Sequence, residues 1–190
     1  PRAVMPHRLL GGLALAALLA VVLLTLAGAA PYDRASWPHW VRAGACDVRH
    51  AVLARDAAPG TLRVDPARPC RVVGGTWTDP YAGTTSRRPD RLDVDHVVPL
   101  QWAHEHGGAA WDRARRQAYA NDLSYRGHLL AVDRRANRAK GARGPAAWAP
   151  VGNAARCDYG HRWAAVLVAW DLRPGEADRA AVRDLLRACR

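Results

Sequence analysis

The sequence predicts an α+β fold: a strand–strand–helix centre with added helices, a C-terminal helix pair and two disulfides. Three observations carry this. RLDVDHVV (91–98) and HLLAV (128–132) are apolar runs of strand length, and RRANRAK, a helical stretch, follows the second. Beyond residue 155, Tyr159, Trp163, Val166, Leu167 and Trp170 recur at helical spacing. Ala181, Val182, Leu185 and Leu186 do so again after the turn Arg173-Pro174-Gly175. Finally, the four cysteines, Cys46, Cys70, Cys157 and Cys189, are even in number, and none has the C-x-x-C spacing of a zinc knuckle.

The elements follow in order. PYDRASWPHWVRAG (31–44) predicts a short helix or irregular segment with Trp37 and Trp40 inward, and CDVRHAVLARDA (46–57) a helix through Val48, Ala51, Val52 and Arg55. APGTLRVDPARP predicts turns. CRVVGGTWTDPYAG (70–83) alternates like a strand interrupted at Gly74-Gly75 and ends in an Asp-Pro turn. SRRPD is a polar turn before strand 91–98. Residues 101–121 predict a helical insertion around Trp111, Ala114, Ala118 and Tyr119, with His104, Glu105 and His106 as its polar start. Asp133 is placed to cap a helix over 134–140, and Gly141 to end it. Pro145 and Pro150 bracket a turn that buries Trp148. In an antiparallel helix pair the start of one helix lies beside the end of the other, so Cys157 meets Cys189 and Cys46 is left for Cys70.

Residues 1–30 are a separate object. Arg2 and Arg8 precede the uncharged run from Leu9 to Ala30, which ends in the small residues Ala27-Gly28-Ala29. This predicts a secretory signal cleaved near Ala29 or Ala30, with an uncleaved membrane anchor as the alternative. Either way residues 31–190 are one exported domain, and export suits disulfides. A hydrophobic content of 49% is enough for a core, with Trp and Tyr supplying the large side chains in a chain that has no Phe. Two of the eleven net positive charges belong to the first thirty residues. The rest favour a polyanionic partner, nucleic acid or an anionic wall polymer.

The stretch DVDHVVPL (93–100) sets two carboxylates and an imidazole at the end of a buried strand. Asn137 and Lys140, three apart, share one face of helix 134–140. If that helix crosses the two strands, Asn137 faces Asp95, and a carboxylate and an amide oxygen are hard ligands suited to Mg²⁺.

DVDHVVPL followed by HLLAV and NRAKG resembles the HNH nucleases, whose ββα-metal core has this order. With CDVRHAVLARD, CRVVGGTWTDPYAG, YANDL, PAAW and a C-terminal cysteine, the chain from about Tyr32 onward is similar to exported HNH endonucleases grouped with DUF1524 proteins. The resemblance implies a nuclease domain over 31–190. It makes His96 the general base and Asp95 and Asn137 the ligands of a divalent metal, Mg²⁺ or else Mn²⁺. His128 stands at the position that orients the base or its loop. Asp93 supports the ligands, and Arg138, Lys140 and Arg143 hold flanking phosphates. His at 128 and Asn at 137 depart from the family's usual pattern.

The function expected is a secreted, metal-dependent endonuclease of low sequence specificity, cutting DNA, with RNA the second substrate. It needs no small-molecule cofactor, works as a monomer, and meets a membrane only through an uncleaved residue 9–30 segment. The alternative is a secreted basic protein that binds nucleic acid or anionic polymer on a non-catalytic HNH scaffold.

Overall fold

The computed structural model describes residues 30–189, so the segment read as signal or anchor lies outside the described residues except for Ala30. Among the described residues no helix is long and apolar enough to cross a membrane.

A 3-10 turn at Arg34–Ser36, with the Asp33 carboxylate accepting from the Ala35 N–H, leads into the fully buried Trp37. Strands β1 (Arg42–Ala43) and β2 (Cys46–Asp47) make a tight hairpin. Gly44 turns it at φ 66°, a conformation that favours glycine. Helix α1 (Val48–Asp56) starts where the Asp47 carboxylate accepts from the His50 N–H at 2.7 Å.

Strands β3 (Arg63–Asp65) and β4 (Arg68–Gly74) form a second hairpin. The sequence predicts only turns at β3, because Pro66 and Pro69 punctuate the stretch and its side chains are mostly exposed. The bridge Cys46–Cys70 ties β2 to β4. Strands β5 (Trp77–Thr78) and β6 (Thr85–Ser86) pair across the Asp79-Pro80 turn.

Strand β7 (Leu92–His96) comes next and is shorter than the run 91–98. Pro99 begins helix α2 (Leu100–Glu105), and Val97 and Val98 bend toward it. The insertion is two helices rather than one: α2 ends at Gly107-Gly108, and α3 (Arg113–Ala120) starts on an Asp112 cap. His104, Glu105 and His106 therefore close α2 instead of opening the insertion, since Gly107 at φ 128° halts the helix.

Strand β8 (Leu129–Asp133) runs directly into helix α4 (Arg134–Lys140). The Asp133 carboxylate accepts from the Arg135 and Ala136 N–H groups, and Gly141 at φ 57° ends the helix. Helices α5 (Asn153–Trp170) and α6 (Glu176–Arg187) form the terminal pair, bridged by Cys157–Cys189.

Strands β7 and β8 pair antiparallel, with Asp95 opposite Leu130 and His96 opposite Leu129. The alternation along β8 divides two cores. Leu129 and Ala131 join Val48, Val52, Leu53 and Trp77, while Leu130 and Val132 join Tyr119, Tyr159, Trp163 and Leu185. The end of the β7–β8 ladder is thereby fixed from both sides.

Candidate active site

Asp93 and Asp95 leave β7 on one face and His96, the next residue, on the other. Helix α4 lies over the aspartate face. Asn137 Nδ2 donates to Asp93 at 3.1 Å, and Lys140 Nζ to Asp95 at 2.9 Å. Three helix residues advance about 4.5 Å and two strand residues about 6.6 Å, so two such pairs form side by side. Asn137, expected to face Asp95, thus has Asp93 as its hydrogen-bond partner, although Asp95 and Asn137 line the same cleft.

The second oxygen of Asp95 accepts from the Tyr81 hydroxyl at 2.7 Å. Lys140 also donates to the His96 carbonyl at 2.9 Å and is 0% exposed. It has no access to a phosphate in this arrangement, unlike its sequence expectation. Burial pushes the Asp95 carboxyl up and the Lys140 ammonium down, and each partner's charge opposes the other's shift.

His96 is buried. Its Nε2 lies 2.9 Å from the Ala120 carbonyl, which can only accept, so Nε2 carries the proton and Nδ1 the lone pair. The Trp40 ring stacks on the imidazole with centroids 5.5 Å apart. Trp40 itself sits in the left-handed region at φ 57°. Burial first, then the neighbouring His128 and Lys140, holds the His96 pKa well below the ordinary histidine value. The Ala120 bond works the other way.

His128 is wholly buried, and its Nε2 donates to the Tyr119 carbonyl at 2.8 Å. Its ring meets that of His96 edge-on at 5.9 Å. The two histidines thus hold successive carbonyls at the end of α3, acceptors that a helix terminus leaves without intrahelical partners. Burial drives the His128 pKa down to about 4.

The cleft has a volume of about 310 Å³, and Tyr32, Arg34, Asp95, His96, Asn137 and Arg138 line it. Neither Arg34 nor Arg138 forms an ion pair with a carboxylate among the described residues. The donors at hand suit a hard divalent ion: the Asp95 carboxylate, and the Asn137 Oδ1 whose amide nitrogen is committed to Asp93. Among the described residues, a further grouping of ligand-type side chains, Cys157, His161 and Cys189, has both sulfurs bound in the disulfide.

Tyr32 and Arg34, which line the cleft, and Trp40 and Tyr81, which touch His96 and Asp95, escape sequence reasoning, because only the tertiary fold brings them there. Lys140 carried one signal: it is the single lysine in a chain whose other basic residues of this kind are all arginine.

Similarity places the molecule among nuclease-family domains. Residues 63–177 match the family described as GmrSD restriction endonucleases, C-terminal domain, and the chain belongs to that family. It is 38% identical over 159 residues to a protein of Arthroderma benhamiae (strain ATCC MYA-4681 / CBS 112371) described as an "Uncharacterized secreted protein". The match covers 83% of this chain and 76% of the relative. No solved structure matches the chain significantly. The relative's description and the two disulfides fit an extracellular protein.

Proposed function

We propose that this protein is a secreted, metal-dependent HNH-type endonuclease that hydrolyses phosphodiester bonds in DNA with little sequence preference, with RNA as the second substrate. In this reading β7, β8 and α4 are the ββα-metal core and the protein works as a monomer. The carrying observation is the His96 imidazole. Its Nε2 is committed to a carbonyl, its Nδ1 keeps the lone pair, and it lines a cleft with Asp95, Asn137 and two arginines.

The chemistry assigns each group a task. His96 Nδ1 takes the proton of the attacking water, which a histidine held neutral does readily at pH 7. Arg34 and Arg138 hold the phosphate oxygens. Asp95 and Asn137 would hold the divalent ion, Mg²⁺ or Mn²⁺, which when bound neutralises charge on the phosphate and on the departing 3′ oxygen. Asp93 orients Asn137 by fixing its amide nitrogen, and leaves Oδ1 for the ion. Lys140 holds Asp95 in place. His128 orients the end of α3, which carries the Ala120 carbonyl, and with it the base.

The test is supercoiled plasmid incubated with the full chain and Mg²⁺ or Mn²⁺. Nicking and then linearisation are expected, EDTA stops both, and His96→Ala lowers turnover by about 10²–10⁴-fold while nucleic-acid binding persists. Tight binding with no cleavage under any divalent ion overturns the reading in favour of a secreted nucleic-acid-binding protein.

A further inference from the structure

A second groove, of about 670 Å³, lies along the opposite end of α4 from the catalytic cleft. Arg49 of α1, Arg63 of β3, Arg71 of β4, Arg87 and Arg88 before β7, and Arg134 at the start of α4 line it. One acid, Asp90, stands among these six arginines, and it is paired with Arg88. Arg63 and Arg87 form no ion pair with a carboxylate among the described residues, and Arg71 only a long one, 3.8 Å to Asp65. Such a lining is unlike that of a small-molecule pocket, which is mostly apolar with a few polar anchors.

The groove has built features. Arg63 is the ladder partner of Gly74, and its guanidinium lies so close over that glycine that a Cβ there would meet Nη2 at 2.6 Å. The glycine makes the room in which the guanidinium lies. Arg49 is held by donation to the Leu92 carbonyl at 3.2 Å, and Arg134 by donation to the Asp90 carbonyl. The groove also joins the catalytic cleft. Asp93 accepts from Arg134 on the groove side at 3.4 Å and from Asn137 on the cleft side at 3.1 Å. Arg134 and Arg138, four residues apart, share one face of α4 and stand one in each hollow.

We propose that this groove is a second binding site for the sugar–phosphate backbone of nucleic acid, which grips the strand away from the bond to be cut. It takes its ligand class from the nuclease reading, but it is a separate site. An evenly arginine-lined trough with few apolar groups reads charge and spacing, so it binds without sequence preference.

Fluorescence anisotropy with a labelled duplex of about 30 base pairs, long enough for several phosphate contacts, tests it on the full chain carrying His96→Ala. The variant Arg63→Ala/Arg71→Ala/Arg87→Ala should bind more weakly. Its log–log salt slope should be shallower by about 2.7, three lost contacts at about 0.9 each. The matching lysine triple should keep most of the slope. A control of equal charge loss outside the groove, Arg173→Ala/Arg179→Ala/Arg183→Ala, should change it little. An unchanged slope in the groove triple, or an equal drop in the control, overturns the proposal. So does loss of binding to phosphatidylglycerol vesicles with duplex binding intact, which would assign the groove to an anionic surface. Failure of the nuclease reading looks different: plasmid is never cut, yet the gap between groove triple and control remains.

Discussion

Lys140 is the residue whose setting explains most about the site. Its ammonium is fully buried between the Asp95 carboxylate and the His96 carbonyl. An arginine has a rigid planar fork in place of a compact ammonium and could not make the same two contacts from the same backbone. A buried pair of this kind is poor evidence of net stability, but breaking it strands a charge. Lys140→Met should therefore destabilise by about 3–5 kcal/mol, measured by urea unfolding. Adding Asp95→Asn should restore part of that, because the stranded carboxylate is then gone. A single-variant cost below about 1 kcal/mol would mean that Asp95 is held by Tyr81 alone.

At the scale of elements, α4 carries Asn137, Arg138 and Lys140 in seven residues, too short a helix to persist by itself. Its Asp133 cap accepts two of the backbone N–H groups that the first turn leaves open. Asp133→Ala should cost about 1 kcal/mol. It should also lower turnover on plasmid, since the three side chains hang on one turn. A stability loss with turnover unchanged would show that contacts with β7 alone position α4. This helix was legible in sequence to the residue because its cap and its terminal glycine are both local signals. The α5–α6 pair and its disulfide were legible through periodicity. Strand β3 was not, because the prolines that follow it and its mostly exposed side chains carry no strand pattern. The two-helix form of the insertion was hidden too, since the stop at Gly107 depends on a positive φ that a Gly-Gly pair permits without requiring. Within the site, Asp93, Asp95, His96 and Asn137 come from one readable motif. The register that gives Asn137 to Asp93 and Lys140 to Asp95 depends on where α4 sits over β7, and no local pattern sets that.

At the scale of the molecule, the β7–β8 ladder is clamped between two cores, and a disulfide braces each side. The bridges close separations of 24 and 32 residues, and the chain-entropy account gives each about 3–4 kcal/mol. The packing around His96 also buries His128 in its neutral form. Its pKa of about 4 in the fold compares with about 6.5 in an unfolded chain. Below pH 6.5 the unfolded chain therefore takes up a proton that the folded one refuses. The stabilising contribution is complete above pH 6.5 and is lost as pH falls toward 4, amounting to about 3 kcal/mol in all. Asp95, whose carboxyl is raised by burial, has the opposite sign, its contribution being lost as pH rises through its folded value. His96, also held neutral by burial, adds to the fall with the same sign as His128. Urea midpoints with the disulfides intact should fall steadily over that range. His128→Asn, which keeps a polar group but removes one of the two titrations, should make the fall shallower and leave the His96 share, even if it lowers stability at pH 7. An equal slope in variant and parent would mean that His128 takes up its proton inside the fold and that the interior behind His96 is open to water.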